Sequence, residues 1–242
     1  MHMPRTVALA GATGLVGREI LRGLVADPRV SAIHVLARRA VAGGDAKVTV
    51  HIVDFTALPA LPRIDEVYLA LGTTIKVAGS QPAFRAVDYD ANLAVARAAL
   101  AAGAKRAGLV SAMGAGARSG IFYNRIKGEL EDALRALPFE GLVIARPSFL
   151  AGNREALGQP VRRGEGLAIA ASRILGPLFP NYRSVPAAAV ARALLTRVPA
   201  AAGCETIGGL DMLVAQAEDQ SEWWIGRRPP AGLMREAAMA RL

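Results

Sequence analysis

The sequence predicts a doubly wound α/β fold in which helices cover both faces of a parallel sheet. Short β-rich runs alternate with helical patterns as far as residue 146, the first run is followed by a glycine-rich segment, and a helix begins directly after that segment. Repeated strand–helix–strand units build a parallel sheet through right-handed crossovers. The 242 residues are enough for one large domain, so we expect a single domain over residues 1–242.

The predicted elements follow from local patterns of apolar residues. Residues 6–10 form a mostly apolar run, which is typical of a parallel strand buried on both faces. The helix at 14–26 places apolar residues on one side and charged residues on the other. Gly103 ends a long helix, and a second helix ends before Pro138. The remaining predicted strands are 32–37, 48–53, 65–71, 106–111, 142–145 and 204–207, and the remaining predicted helices are 82–102, 118–137 and 186–198.

The last third of the chain is less regular. Glycine, proline and arginine interrupt residues 147–186, and residues 211–242 include Trp223 and Trp224. We expect these segments to form a substrate-side lobe and a tail of the same domain. The two tryptophans fit a substrate lid, a homodimer contact or a tail packed on the domain surface, and the sequence leaves all three interpretations open.

Composition restricts the class of protein. The net charge is +9, but lysine and arginine are spread along the chain, so we expect no nucleic-acid partner. The three histidines lack metal-ligand spacing, and the single cysteine, Cys204, fits the core better than a nucleophile, so we expect no metal. We expect no membrane-spanning helix, because no apolar run reaches about twenty residues. Together these features predict a cytoplasmic protein.

A glycine-rich loop, residues 11–17, connects the first strand to the first helix. Its three glycines permit a tight turn, a close approach of backbone to ligand and a helix packed against the sheet. The free N–H groups of the helix start attract phosphate. A three-glycine pattern alone is a weak signal, but its position between strand and helix favours a dinucleotide over a ligand-free turn. The expected contacts are Gly11, Thr13, Gly14, Leu15, Val16 and Gly17.

The residues after the second and third strands predict which dinucleotide binds. Arg38 and Arg39 stand where an NAD-specific site usually has an acidic residue, and a guanidinium fork suits a 2′-phosphate. We therefore expect NADP(H) rather than NAD(H), with a pair of surface arginines as the alternative. Asp54, followed by Phe55, is placed to contact the adenine amino group, or to cap the next turn.

The fourth predicted strand ends in Leu71, Gly72, Thr73 and Thr74, which we call the strand-4 loop. We expect its backbone to pass the adenine ribose of the cofactor. An ordinary turn without a ligand is the alternative.

Tyr123 and Lys127 are four residues apart on a predicted helix and therefore share one face. A neighbouring ammonium favours the phenolate form of a tyrosine, which makes the tyrosine a better acid/base. Ser111, at the end of the fifth strand, has a hydroxyl that would hold the substrate oxygen. We expect Tyr123 as general acid/base, Lys127 as its modulator and ribose ligand, and Ser111 as the orienting group.

The chain resembles the short-chain dehydrogenase/reductase superfamily, over roughly residues 5–210. The residues that carry this resemblance are 11–17, 123–127 and Arg146-Pro147-Ser148. Residues 71–74, 120–123, 127–131 and 184–186 are similar to an atypical branch, the Tat-interacting oxidoreductase group, which binds NADPH. The resemblance implies that Pro147 and Ser148 flank the nicotinamide.

Two positions depart from this resemblance. Ala112 follows Ser111 where relatives often have a second serine, and Asp88 stands where related enzymes often have an asparagine, with Asn92 one turn later. Three functions fit the sequence: an NADP(H)-dependent reductase or dehydrogenase of a small carbonyl or alcohol, a non-catalytic NADP(H)-binding sensor, and a nucleotide-sugar epimerase.

Overall fold

A computed structural model gives the architecture of the chain. It describes residues 4–41, 44–148, 150–151, 185–209, 211–212, 214, 229–230 and 232–239. Trp223 and Trp224, most of the expected lobe at 147–186 and most of the expected tail at 211–242 lie outside the described residues. The expected division of the chain therefore stays a prediction.

The described strands are β1 Arg5–Ala10, β2 Val30–Ala37, β3 Val48–Ile52, β4 Glu66–Leu69, β5 Arg106–Val110, β6 Gly141–Arg146, β7 Leu150–Ala151, β8 Val185–Pro186 and β9 Gly203–Gly208. Within the part of the chain that the structure describes, seven of them form a parallel central sheet in the order β3-β2-β1-β4-β5-β6-β9. The predicted doubly wound parallel sheet is thereby confirmed. A separate parallel pair, β7 and β8, was not predicted because each of its strands has only two residues.

Helices cover both faces of the sheet. The described helices are α1 Leu15–Ala26, α2 Ile75–Ala78, α3 Gln81–Arg85, α4 Asn92–Ala101, α5 Phe122–Arg135, α6 Ala187–Arg197 and α7 Leu233–Met239. A π-helical turn, Ala86–Ala91, joins α3 to α4 within the stretch that the sequence predicts as one continuous helix at 82–102. The short 3₁₀ turn Val198–Ala200 follows α6.

The core consists of two apolar layers, one on each face of the sheet. Ile20 and Leu24 of α1 pack with Leu194 of α6 on the first face. Leu130 and Leu134 of α5 pack with apolar residues of α4 on the second face. Each fully buried aliphatic side chain contributes about 1.5–3 kcal/mol. These layers fix α1 and α5 against the sheet, and both helices begin near the carboxyl ends of its strands.

Helix α5 begins later than the sequence predicts. Residues 118–121 stay outside it, because the Ser119 hydroxyl accepts the Ile121 N–H and the Gly116 N–H is donated to the Asn124 carbonyl. A Cβ on Gly128 would lie 2.2 Å from the Gly116 carbonyl carbon, so the loop packs directly on the helix. This contact holds the loop between β5 and α5 against the first turns of α5.

The expectation that Cys204 lies in the core is wrong. Cys204 is exposed on β9, which is the edge strand beside β6. A short apolar run does not reveal whether its strand is central or at an edge, and an edge strand exposes more of its side chains.

Candidate active site

The glycine loop follows β1 and passes closely against the end of β4. Gly11 has φ +90°, and a Cβ there would lie 2.3 Å from the Ala70 carbonyl oxygen. A Cβ on Gly17 would lie 2.0 Å from the Gly11 carbonyl oxygen. Both positions therefore require glycine, one for its backbone conformation and both for space.

The start of α1 presents backbone amides that have no partner among the described residues. The N-cap residue is Gly14, which has no side chain to cap the helix, and the first turn holds no acidic residue. The amides of Leu15, Val16 and Gly17 have no acceptor within the helix, because the first residues of a helix lack one. Amides in this arrangement form an anion site, which suits the pyrophosphate of a dinucleotide.

The residues after β2 and β3 lie at the same edge of the sheet. Arg38 and Arg39 are exposed, and among the described residues neither forms an ion pair. The Asp54 Oδ1 accepts the Thr56 N–H and hydroxyl, each at 2.8 Å, and the backbone hydrogen bond lowers the pKa of Asp54. Phe55 packs against the second core layer. The adenine contact of Asp54 stays a prediction, and one of its oxygens already caps the turn.

The strand-4 loop is held by side chains from the π-helical turn and from α4. The Thr73 N–H donates to Asp88 Oδ2 at 2.8 Å, and the Asn92 Nδ2 donates to the Leu71 carbonyl at 3.2 Å. Thr74 caps α2, because its hydroxyl accepts the Val77 N–H at 3.1 Å. The backbone on both sides of Gly72 is therefore fixed.

Lys127 is buried and ion-paired at this loop. Its Nζ lies 2.8 Å from Asp88 Oδ1, and the two side chains are 5% and 1% exposed. Burial lowers the pKa of Lys127, but Asp88, with smaller contributions from Tyr123 and Glu131, outweighs burial and raises it overall. A Cβ on Gly72 would lie 3.9 Å from Nζ, so the ammonium sits beside the backbone of the loop.

Tyr123 is half-buried one turn before Lys127. Its ring centroid lies 5.6 Å from that of Phe84, which is fully buried and also meets Phe122 edge-on at 5.7 Å. These aromatic contacts hold the first turn of α5 against α3. Tyr123 and Lys127 thus belong to one face of α5, as their spacing predicts.

Ser111 is turned toward Glu131 of α5. Its hydroxyl donates to Glu131 Oε1 at 2.6 Å, and Ser111 is 4% exposed. Glu131 is fully buried and also accepts from Arg146 and Arg135. The substrate-orienting role of Ser111 stays a prediction, and this hydrogen bond argues against it. Sequence reasoning missed Glu131, although its spacing of four from Lys127 and from Arg135 places all three on one side of the helix.

The residues after β6 contact the loop that follows β5. The Met113 N–H donates to the Pro147 carbonyl at 2.8 Å. Ser148 lies near Gly209, since a Cβ on that glycine would be 3.7 Å from the Ser148 hydroxyl oxygen. The structure therefore gathers the glycine loop, the strand-4 loop, α5 and the β6 end at the carboxyl edge of the sheet, where ligands bind in doubly wound folds.

Comparison with known proteins identifies the family. A mitochondrial protein named fmp52 from Emericella nidulans is 42% identical over 159 residues, which cover 62% of this chain and 68% of the relative. The chain belongs to the Fmp52 family. A second member, FMP52 from Eremothecium gossypii, is 36% identical over 152 residues, covering 61% of this chain and 67% of the relative. The resemblance to the Tat-interacting group is not confirmed by these relatives.

Solved structures show where else this fold occurs. A short-chain dehydrogenase/reductase family oxidoreductase from Burkholderia thailandensis has a TM-score of 0.62 at 19% identity, covering 94% of this chain and 100% of that chain. MoeE5, solved with UDP-glucose and NAD, has a TM-score of 0.60 at 16% identity, covering 93% and 83%. The Fmp52 family member thus shares the fold of short-chain dehydrogenases, as the sequence predicts. A sequence-family model that describes the shikimate 5′-dehydrogenase C-terminal domain matches residues 209–239.

The expectation of a cytoplasmic protein is wrong, because the Fmp52 relatives are named as mitochondrial proteins. The prediction depended on the lack of an apolar segment, and mitochondrial targeting does not use one. Among the described residues, no helix is long and apolar enough to cross a membrane. The same residues contain no group of three or more side chains suited to a metal ion.

Proposed function

We propose that this chain is an NADP(H)-dependent oxidoreductase that exchanges hydride with a small carbonyl or alcohol. One observation carries the proposal: Tyr123 shares a face of α5 with Lys127, whose ammonium lies beside Gly72 at the sheet edge that also holds the glycine loop. A dinucleotide bound at the start of α1 extends along this edge toward the end of β4. The nicotinamide end of this dinucleotide would then lie near α5.

The residues present fit such a cofactor. The glycine loop leaves room for phosphate beside the free amides of α1. The exposed guanidinium groups of Arg38 and Arg39 lie after β2 without an ion pair among the described residues, which suits a 2′-phosphate. The related fold of MoeE5 was solved with NAD, which supports a nicotinamide dinucleotide in general.

The chemistry divides between cofactor and protein. When bound, the nicotinamide supplies or accepts the hydride. In the direction of reduction, the Tyr123 hydroxyl donates its proton to the substrate oxygen, and solvent replaces that proton because Tyr123 is half-exposed. Lys127 stabilises the phenolate left behind and donates to the ribose hydroxyls. Its burial strengthens both interactions, since the local dielectric is low.

The test is NADPH oxidation with a panel of carbonyls and quinones. Tyr123→Phe should lower turnover by about 10²–10⁴-fold, the usual contribution of general acid–base catalysis, and leave the Kd for NADPH within about threefold. Tyr89→Phe is a matched control, because the Tyr89 ring stacks on the Arg85 guanidinium and, among the described residues, contacts neither Tyr123 nor Lys127 through a ring or a hydrogen bond. Turnover of Tyr123→Phe near the wild-type rate would refute the assignment.

A non-catalytic NADP(H) sensor is the second candidate. It is favoured by one observation, the donation of the Ser111 hydroxyl to Glu131 instead of toward a substrate. Submicromolar NADPH binding without oxidation on any member of the panel would support the sensor and contradict the enzyme.

A further inference from the structure

Asp88 makes two inward contacts from the π-helical turn. One carboxylate oxygen lies 2.8 Å from Lys127 Nζ, and the other accepts the Thr73 N–H at 2.8 Å. Asp88 is 1% exposed. A single side chain therefore links α5 to the strand-4 loop in a place that water does not reach.

Asn92 complements this arrangement one turn later. Its Nδ2 donates to the Leu71 carbonyl at 3.2 Å and to the Asp88 carbonyl at 3.1 Å. Asp88 and Asn92 therefore hold the strand-4 loop at Thr73 and Leu71, on the two sides of Gly72. The loop, the π-helical turn and Lys127 form one connected unit.

We propose that Asp88 is a positioning residue that holds Lys127 as a buried ammonium and fixes this ammonium beside the strand-4 loop. The inference rests on the proposed function, because Lys127 is assigned there to the cofactor ribose. We assign Asp88 a positioning role and not a catalytic one, since one of its oxygens accepts the Thr73 N–H and the other is ion-paired with Lys127.

Charge and burial explain why Lys127 needs this partner. A buried lysine without an anion tends to lose its proton, because a low dielectric disfavours the charged form. The groups that act on Lys127 are Asp88 from the π-helical turn and Tyr123 and Glu131 from α5. Glu131 is already paired with Arg146 and Arg135. Removal of the Asp88 charge therefore leaves burial dominant, and the pKa of Lys127 falls.

The decisive measurement is the Kd for NADPH between pH 6.5 and 9.5. The nearly isosteric Asp88→Asn removes the charge and can still accept the Thr73 N–H. In the wild type, Lys127 stays protonated over this range, so its Kd should change less than about threefold. In Asp88→Asn, the ammonium is lost as pH rises through the lowered pKa, so NADPH should bind at least tenfold more weakly at pH 9.5 than at pH 6.5.

Two controls separate this effect from a general loss of structure. Asp90→Asn removes a carboxylate from the same π-helical turn, but Asp90 is exposed, so its profile should match the wild type. The double variant Asp88→Asn with Lys127→Arg keeps a permanent positive charge, because arginine stays protonated, and its profile should again be flat. Parallel pH profiles for wild type and Asp88→Asn would overturn the proposal, whatever the loss of thermal stability.

A second measurement does not use an Asp88 variant, so it does not depend on whether such a variant folds. In wild-type protein with ¹⁵N-labelled lysine, the Lys127 Nζ signal, assigned with Lys127→Arg, should titrate above the value of about 10.4 that an exposed lysine shows. Titration below that value would overturn the proposal. Wild-type protein that does not bind NADPH at any pH refutes the proposed function instead, so the two failures are distinguishable.

Discussion

Ser111→Ala separates a structural role of this hydroxyl from a catalytic one. The substitution removes the hydrogen bond to Glu131 at 2.6 Å. A hydrogen bond to a charged group contributes about 1.5–3 kcal/mol, and we expect the lower value because Glu131 keeps Arg146 and Arg135. A loss of about 1.5 kcal/mol corresponds to a Tm lower by about 3–6 °C in a chain of this size.

The two roles predict different effects of Ser111→Ala on kcat/KM. If Ser111 only braces Glu131, kcat/KM for NADPH-dependent reduction should fall less than about fivefold. A donor that stabilises charge on a substrate oxygen increases kcat by about 10²–10³-fold. A fall in kcat/KM of that size would therefore indicate that Ser111 orients the substrate. Thermal unfolding and steady-state kinetics on the same sample measure both quantities.

A double-mutant cycle with Glu131→Ala identifies the partner, because alanine cannot accept the Ser111 hydroxyl. If the two side chains act on each other, the stability losses of Ser111→Ala and Glu131→Ala should not add, and the coupling should be about 1 kcal/mol. An unchanged Tm together with a hundredfold loss of kcat/KM would refute our reasoning, because the hydrogen bond would then contribute nothing and the hydroxyl would act on the substrate.

Two further substitutions test the cofactor site. Gly11→Ala puts a methyl group 2.3 Å from the Ala70 carbonyl oxygen in a backbone conformation with φ +90°. The substitution should therefore lower the free energy of unfolding by about 3 kcal/mol or more and abolish NADPH binding. A free energy of unfolding in urea within about 1 kcal/mol of the wild type would contradict this expectation. Arg38→Ala should raise the Kd for NADPH at least tenfold and leave the Kd for NADH within twofold, as measured by calorimetry, with Arg39→Ala as the matched comparison. Equal losses for NADPH and NADH would show that Arg38 does not recognise a 2′-phosphate.

Local patterns were sufficient to predict the sheet and the positions of the loops at its carboxyl edge. Buried parallel strands and amphipathic helices have different periodicities, and glycines mark the connection after β1. Tyr123 and Lys127 share a helix face for the same reason, since their spacing alone determines it. Arg38 and Asp54 were placed correctly after β2 and β3, but their ligands belong to the predictions that only experiment can test.

Local sequence patterns do not predict contacts between segments that are distant in the sequence. The partner of Ser111 lies twenty residues later, and the contact depends on how α5 packs on β5. The partner of Lys127 lies on a different helix, so its distance from Asp88 depends on tertiary structure. The start of α5 differs from the predicted one because the Ser119 hydroxyl and the Gly116 N–H form hydrogen bonds in the preceding loop, and helix propensity does not encode these.

The π-helical turn has a consequence for how this chain tolerates insertions and deletions. A π turn contains one residue more than an α-helical turn, and π turns occur often at functional sites. Deletion of one residue within Ala86–Ala91 would remove the extra residue and restore a regular helix, with α3 and α4 close to their present orientation. The wide turn that carries Asp88 would be lost, and the Asp88 carboxylate would leave Lys127 and the Thr73 N–H. We therefore expect the length of this segment to matter more than the identity of its exposed residues.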